Sequence, residues 1–144
     1  TGATGTANVI YSDWQTPTWQ LTSDSLNYPI ATSIDAPGLT QEILDSGEIK
    51  VYMGFTDSTT GLIAEVDPLP FTFVVSSQSF TASVIPFFDL NKIILEANTP
   101  IAEGEQFRYI LIPGGVKDGL KGINWNDYKQ VAAYLHLKDA PNAK

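Results

Sequence analysis

Short runs of β-branched and aromatic residues, each stopped by Gly, Pro, Asn, Asp or Ser, fill the chain from residue 8 to residue 115. Runs this short, with turn residues this frequent, suit strands better than helices. The clearest is 48–55, where Ile49, Val51, Met53 and Phe55 alternate with Glu48, Lys50, Tyr52 and Gly54. That period of two predicts a half-buried strand, the first set inward and the second toward solvent. Further strands are expected at 8–14, 18–21, 28–34, 62–66, 71–76, 79–85, 92–96 and 107–112, with a hairpin turning at Ser77-Gln78. Ile93, Ile94 and Leu95 run without a polar break, which predicts burial on both faces. Pro68-Leu69-Pro70 does not fit a central strand, because proline brings no ladder donor.

Two helices interrupt this texture. One is expected near residues 40–46, with Thr40 as N-cap and Gly47 as the stop. The other lies near 126–137, capped by Asn126, where Tyr128, Val131, Ala132 and Leu135 fall on one helical face. About nine short strands with so few helices predict a mainly β fold, a two-sheet antiparallel β-sandwich, with a β-barrel as the alternative.

The chain has 144 residues, enough for one domain to stand on its own core. It has 0 Cys, which excludes a disulfide, a zinc–thiolate site and cysteine catalysis. Its formal charge of -8 argues against nucleic acid as a partner, since phosphate binding needs a basic footprint. The acids cluster early: residues 1–49 contain Asp13, Asp24, Asp35, Glu42, Asp45 and Glu48 and no Lys or Arg. Lys117, Lys121, Lys129, Lys138 and Lys144 are interleaved with Asp118, Asp127 and Asp139, too dilute for a membrane-binding face. No segment approaches the ~20 apolar residues of a membrane helix. The first residue is Thr1 and not Met, so a processed chain with any targeting segment upstream is expected.

Residues 1–7 carry glycine at every third position, Gly2 and Gly5, and the register ends at Asn8. This predicts either the end of a collagen-like Gly-X-Y stretch or a small-residue flexible arm, with a single domain over 8–144.

The inventory for catalysis is thin. The single histidine, His136, has Ala132 and Ala140 at its helical neighbour positions, so it reads as a histidine near a helix end. No Gly-x-Ser-x-Gly elbow and no Walker-type loop occurs, and Gly114-Gly115 reads as a turn. Glu65/Asp67 and Glu103/Glu105 each lie two apart and would share a strand face. Glu103 and Glu105, flanking Gly104, are the candidate ligands for a calcium ion, and a hydrolase would use the same pair. Trp14 and Trp19, five apart around Pro17, are the candidate ligand-binding residues, since an exposed indole stacks on sugar rings.

Three segments taken together resemble a known kind of protein. They are residues 2–12 (GATGTANVIYS), residues 40–47 (TQEILDSG) followed by Val51-Tyr52-Met53 and Pro68-Leu69-Pro70, and residues 107–115 (FRYILIPGG). The chain resembles the uncharacterised collagen-like-repeat lipoproteins of Bacteroidetes-type bacteria, in which a lipidated cysteine and a short Gly-X-Y stretch precede a β-rich domain. The resemblance implies a cell-envelope location, outer-membrane-anchored or secreted, with membrane contact only through an upstream lipid anchor. It transfers no catalytic residue. The expectation is therefore a non-enzymatic extracellular domain without a cofactor, monomeric or homotrimeric, with a carbohydrate-binding module as the alternative.

Overall fold

The computed structural model describes residues 8–22, 27–75, 80–102, 104–117 and 122–137. The Gly2/Gly5 triplets, the Ser77-Gln78 turn, Glu103 and the last lysines lie outside them. Strands β1 (Ile10–Tyr11), β2 (Gln20–Leu21), β3 (Ile30–Asp35), β4 (Glu48–Thr56), β5 (Ile63–Pro68), β6 (Phe71–Val75), β7 (Phe80–Asp89), β8 (Lys92–Ala97) and β9 (Gln106–Ile112) are joined by helices α1 (Gln41–Ser46), α2 (Gly114–Lys117) and α3 (Tyr128–Leu135).

The strands form two antiparallel sheets. One has the order β1-β9-β4-β5 and the other β2-β3-β8-β7-β6. The expected sandwich is what forms, and neither sheet closes into a barrel. Between the sheets lies the main core. Val51, Met53, Phe107, Tyr109 and Leu111 of the four-stranded sheet meet Ile30, Ile34, Val84, Ile93, Leu95 and Ala97 of the other. Alternation along each strand sends these side chains inward.

A second core covers the outer face of the four-stranded sheet. Helix α3 lays Tyr128, Val131, Ala132 and Leu135 on Tyr52, Ile110 and Ile112. The protein is therefore three layers deep where α3 sits. This corrects the expected solvent face of the 48–55 strand: Tyr52 and Gly54 are as buried as Val51 and Met53. A period of two marks the two faces of a strand but does not tell which of them another element will cover. In β8 the reverse holds. Ile93 and Leu95 are buried while Ile94 is only half-buried, on the uncovered face of the five-stranded sheet.

Other boundaries moved for local reasons. The cap of α3 is Asp127, whose side chain accepts from the Gln130 N–H at 3.3 Å, and not Asn126, which donates its own N–H to Asn124. His136 ends that helix in the left-handed region at φ 52° and is exposed. Thr40 caps α1 as expected. Gly114-Gly115 opens α2, and a side chain at Gly114 would strike the Ser46 carbonyl at 2.7 Å. Strand β7 continues through Pro86 because β6 begins only opposite Val84, so β8 alone is paired there.

The expected strand at 8–14 is interrupted. Ser12 N–H donates to the Tyr109 carbonyl at 3.0 Å, and Gln15 exchanges bonds with Phe107 at 2.8 Å in each direction. From Ser12 to Gln15 the chain takes three steps where β9 takes two, so it bulges at Asp13 and Trp14. The Tyr109 N–H is taken by Ser12 Oγ at 3.0 Å instead.

Candidate functional site

The bulge delivers Trp14 to the outer face of the four-stranded sheet, where Arg108 lies. Arg108 sits directly opposite Tyr52 and is 0% exposed. Its Nε donates to the Ser12 carbonyl and its Nη1 to the Tyr128 hydroxyl, both at 2.8 Å. The guanidinium carbon lies 5.3 Å from the Trp14 ring centre and 5.5 Å from that of Tyr11. A planar, weakly hydrated cation suits such aromatic walls better than an ammonium would. Trp14 also packs on Tyr128 at 5.6 Å, and Tyr128 on Tyr52 at 5.0 Å. Tyr52 donates its hydroxyl to the Trp125 carbonyl at 2.8 Å, and burial, then Tyr128, push its pKa up.

Trp19 is turned the other way, edge-on to Phe107 at 5.7 Å and packed against the inter-sheet core. Both candidate tryptophans are half-buried. One walls Arg108 and the other closes a core edge. The structure does not bring them together into one surface. Sequence alone carried no signal for Arg108, because a lone arginine in an apolar strand offers no spacing to read.

The other candidate residue leads to a cleft. Glu105 was expected on a loop surface as a calcium ligand; it is 9% exposed and points between the sheets. Its Oε1 accepts the Thr56 N–H at 3.0 Å, which secures β4 where its pairing with β5 slips by a residue. Thr56 Oγ1 in turn donates to the Gly104 carbonyl at 2.8 Å. Burial raises the Glu105 pKa, and the Thr56 bond partly opposes that. Beside it a cavity of about 300 Å³ is walled by Met53, Phe55, Phe73, Val75 and Phe80 and rimmed by residues 99–102. Phe55 and Phe73 meet edge-on at 5.5 Å. Among the described residues, no group of three or more His, Cys, Asp or Glu is placed to hold a metal.

Glu65 and Asp67 do share a face of β5, as expected. Burial first, then the neighbouring Glu65 carboxyl, push Asp67 up to about 6. The unfolded value is about 3.9, so the folded protein holds this proton more tightly. The cost of ionising Asp67 is fully present above pH 6 and disappears as pH falls toward 4. A rise of this size is worth up to about 3 kcal/mol in full burial; water reaching the edge strand reduces it to about 1. Asp67→Asn should therefore stabilise the domain by about 1 kcal/mol at pH 7.5 in urea unfolding, the gain shrinking toward zero at pH 4. A gain that is the same at both pH values would assign the effect to something other than this proton.

Comparison with protein-family models, with curated proteins and with solved structures gave no match.

Proposed function

We propose that the chain is a non-enzymatic domain of the cell envelope, carried on the end of a collagen-like stretch at residues 1–7 and held to the membrane by a lipid anchor upstream. The observation that carries the non-enzymatic part is how the chemically capable groups are used. Arg108 is bonded to Ser12 and Tyr128, and Tyr52 to Trp125. Catalytic groups are normally poised in a cleft with a free face toward substrate; most of these are committed to holding layers and loops in place. The Gly2/Gly5 period and the resemblance carry the location.

Fractionation of cells making the full-length gene product tests this. The protein should sediment with the envelope, and protease added to intact cells should release a fragment containing residues 8–144. Recovery in the cytoplasmic fraction, resistant to added protease, would overturn the reading.

A further inference from the structure

The inter-sheet cleft combines features that together specify a ligand. Its walls come from both sheets: Met53 and Phe55 from β4, Phe73 and Val75 from β6, and Phe80 from β7. A cavity of about 300 Å³ is at the lower end of ordinary small-molecule sites. Among the described residues that line it, only Glu105 is ionisable. One oxygen of Glu105 is held by the Thr56 N–H, which fixes the carboxyl plane and leaves the second oxygen for a ligand. Among the described residues, no lysine or arginine lines the cleft to neutralise it. The chain as a whole carries a formal charge of -8.

A small cavity with an aromatic wall and one buried, positioned carboxylate matches a compound with an apolar body and one cationic end. We propose that this cleft is a binding site for a small amphiphilic organic cation, a primary amine on an aromatic or alkyl body. The ammonium group binds the free oxygen of Glu105 in a charge-assisted hydrogen bond. The body fills the space among Phe55, Phe73 and Phe80, whose ring faces also attract the positive charge. The amine replaces part of the hydration that burial takes from the Glu105 carboxylate, so ligand and carboxylate each relieve the other's desolvation. This site is independent of where the protein resides, so its failure would leave the envelope reading untouched, and the reverse.

Three probes of matched shape test it: 4-phenylbutylamine, 4-phenylbutan-1-ol and 4-phenylbutyrate, titrated into the purified protein at pH 7.5 by calorimetry. The amine should bind, the alcohol at least tenfold more weakly, and the carboxylate not at all. Glu105→Gln keeps an acceptor for Thr56 and should weaken the amine about tenfold or more, the loss of one charged partner. Amide shifts caused by the amine in the unaltered protein give a readout that needs no variant. They should centre on Phe55, Phe73, Phe80 and residues 99–102. Equal binding of all three probes, no binding of the amine at millimolar concentration, or shifts centred elsewhere would overturn the proposal.

Discussion

Arg108→Ala is expected to destabilise the domain by about 3–5 kcal/mol, the range for truncating a large buried side chain to a cavity with unsatisfied polar neighbours. The loss has three parts. The Ser12 carbonyl and the Tyr128 hydroxyl each lose a donor at 2.8 Å in the interior, and an unsatisfied buried polar group costs about 1–3 kcal/mol. The Trp14 and Tyr11 rings lose the cation between them. The space of a long side chain is left empty. Arg108→Met refills much of that space without restoring a donor, so it should cost less than alanine and still be clearly destabilising. Arg108→Lys keeps the charge but cannot fork to both acceptors, and should fall between methionine and the unaltered protein. Equilibrium unfolding followed by tryptophan fluorescence reports the order directly, since Trp14 lies on the cation. An alanine variant within 1 kcal/mol of the unaltered protein would show that the cage does not hold the layers together.

Much of this architecture could be read from the residues themselves, and the limits of that reading are physical. Alternation in 48–55 is a property of one strand and its own pleat, so it appeared in the sequence and in β4 alike. Whether the Tyr52 face meets water or another layer depends on a helix more than seventy residues later, and no local pattern encodes that distance. The amphipathic spacing of Tyr128, Val131, Ala132 and Leu135 was visible. Its docking partner, the outward face of β4 and β9, was not. Arg108 was invisible as a core residue for the same reason: a charged side chain is read as surface unless the aromatic walls around it are known, and those come from Tyr11, Trp14 and Tyr128.

The candidate site was legible in part. In the sequence Glu105 stands out through Glu103 two residues away and a loop setting, yet it lines a cleft for another reason. Its carboxyl is drawn inward by an unpaired backbone N–H where β4 slips against β5. Register slips arise from pairing between strands, which a single sequence does not display. Trp14 and Trp19 stand out in the sequence as aromatic residues in polar surroundings. The bulge between Ser12 and Gln15 turns Trp14 onto Arg108, and a hydrogen bond from the Tyr109 N–H to Ser12 Oγ replaces the missing ladder contact.

Val131→Asp tests the third layer. Val131 is fully buried between α3 and the outer face of the four-stranded sheet. An aspartate there must either be buried without a partner or lift the helix, so a loss of about 4 kcal/mol or more is expected. Ala133→Asp places the same charge two residues along, on the exposed side of the same helix, and should stay within about 1 kcal/mol of the unaltered protein. The contrast isolates docking from helix propensity, since both variants put aspartate inside α3. The two large predictions are also linked. Lifting α3 removes Tyr128 from Arg108 Nη1, so Val131→Asp already forfeits part of what Arg108→Ala removes. The double variant should therefore lose less than the sum of the single losses, by more than the ~0.5 kcal/mol within which independent sites add. Strict additivity would mean that the arginine cage and the helix stabilise the sheet separately, with Tyr128 serving only as an apolar anchor.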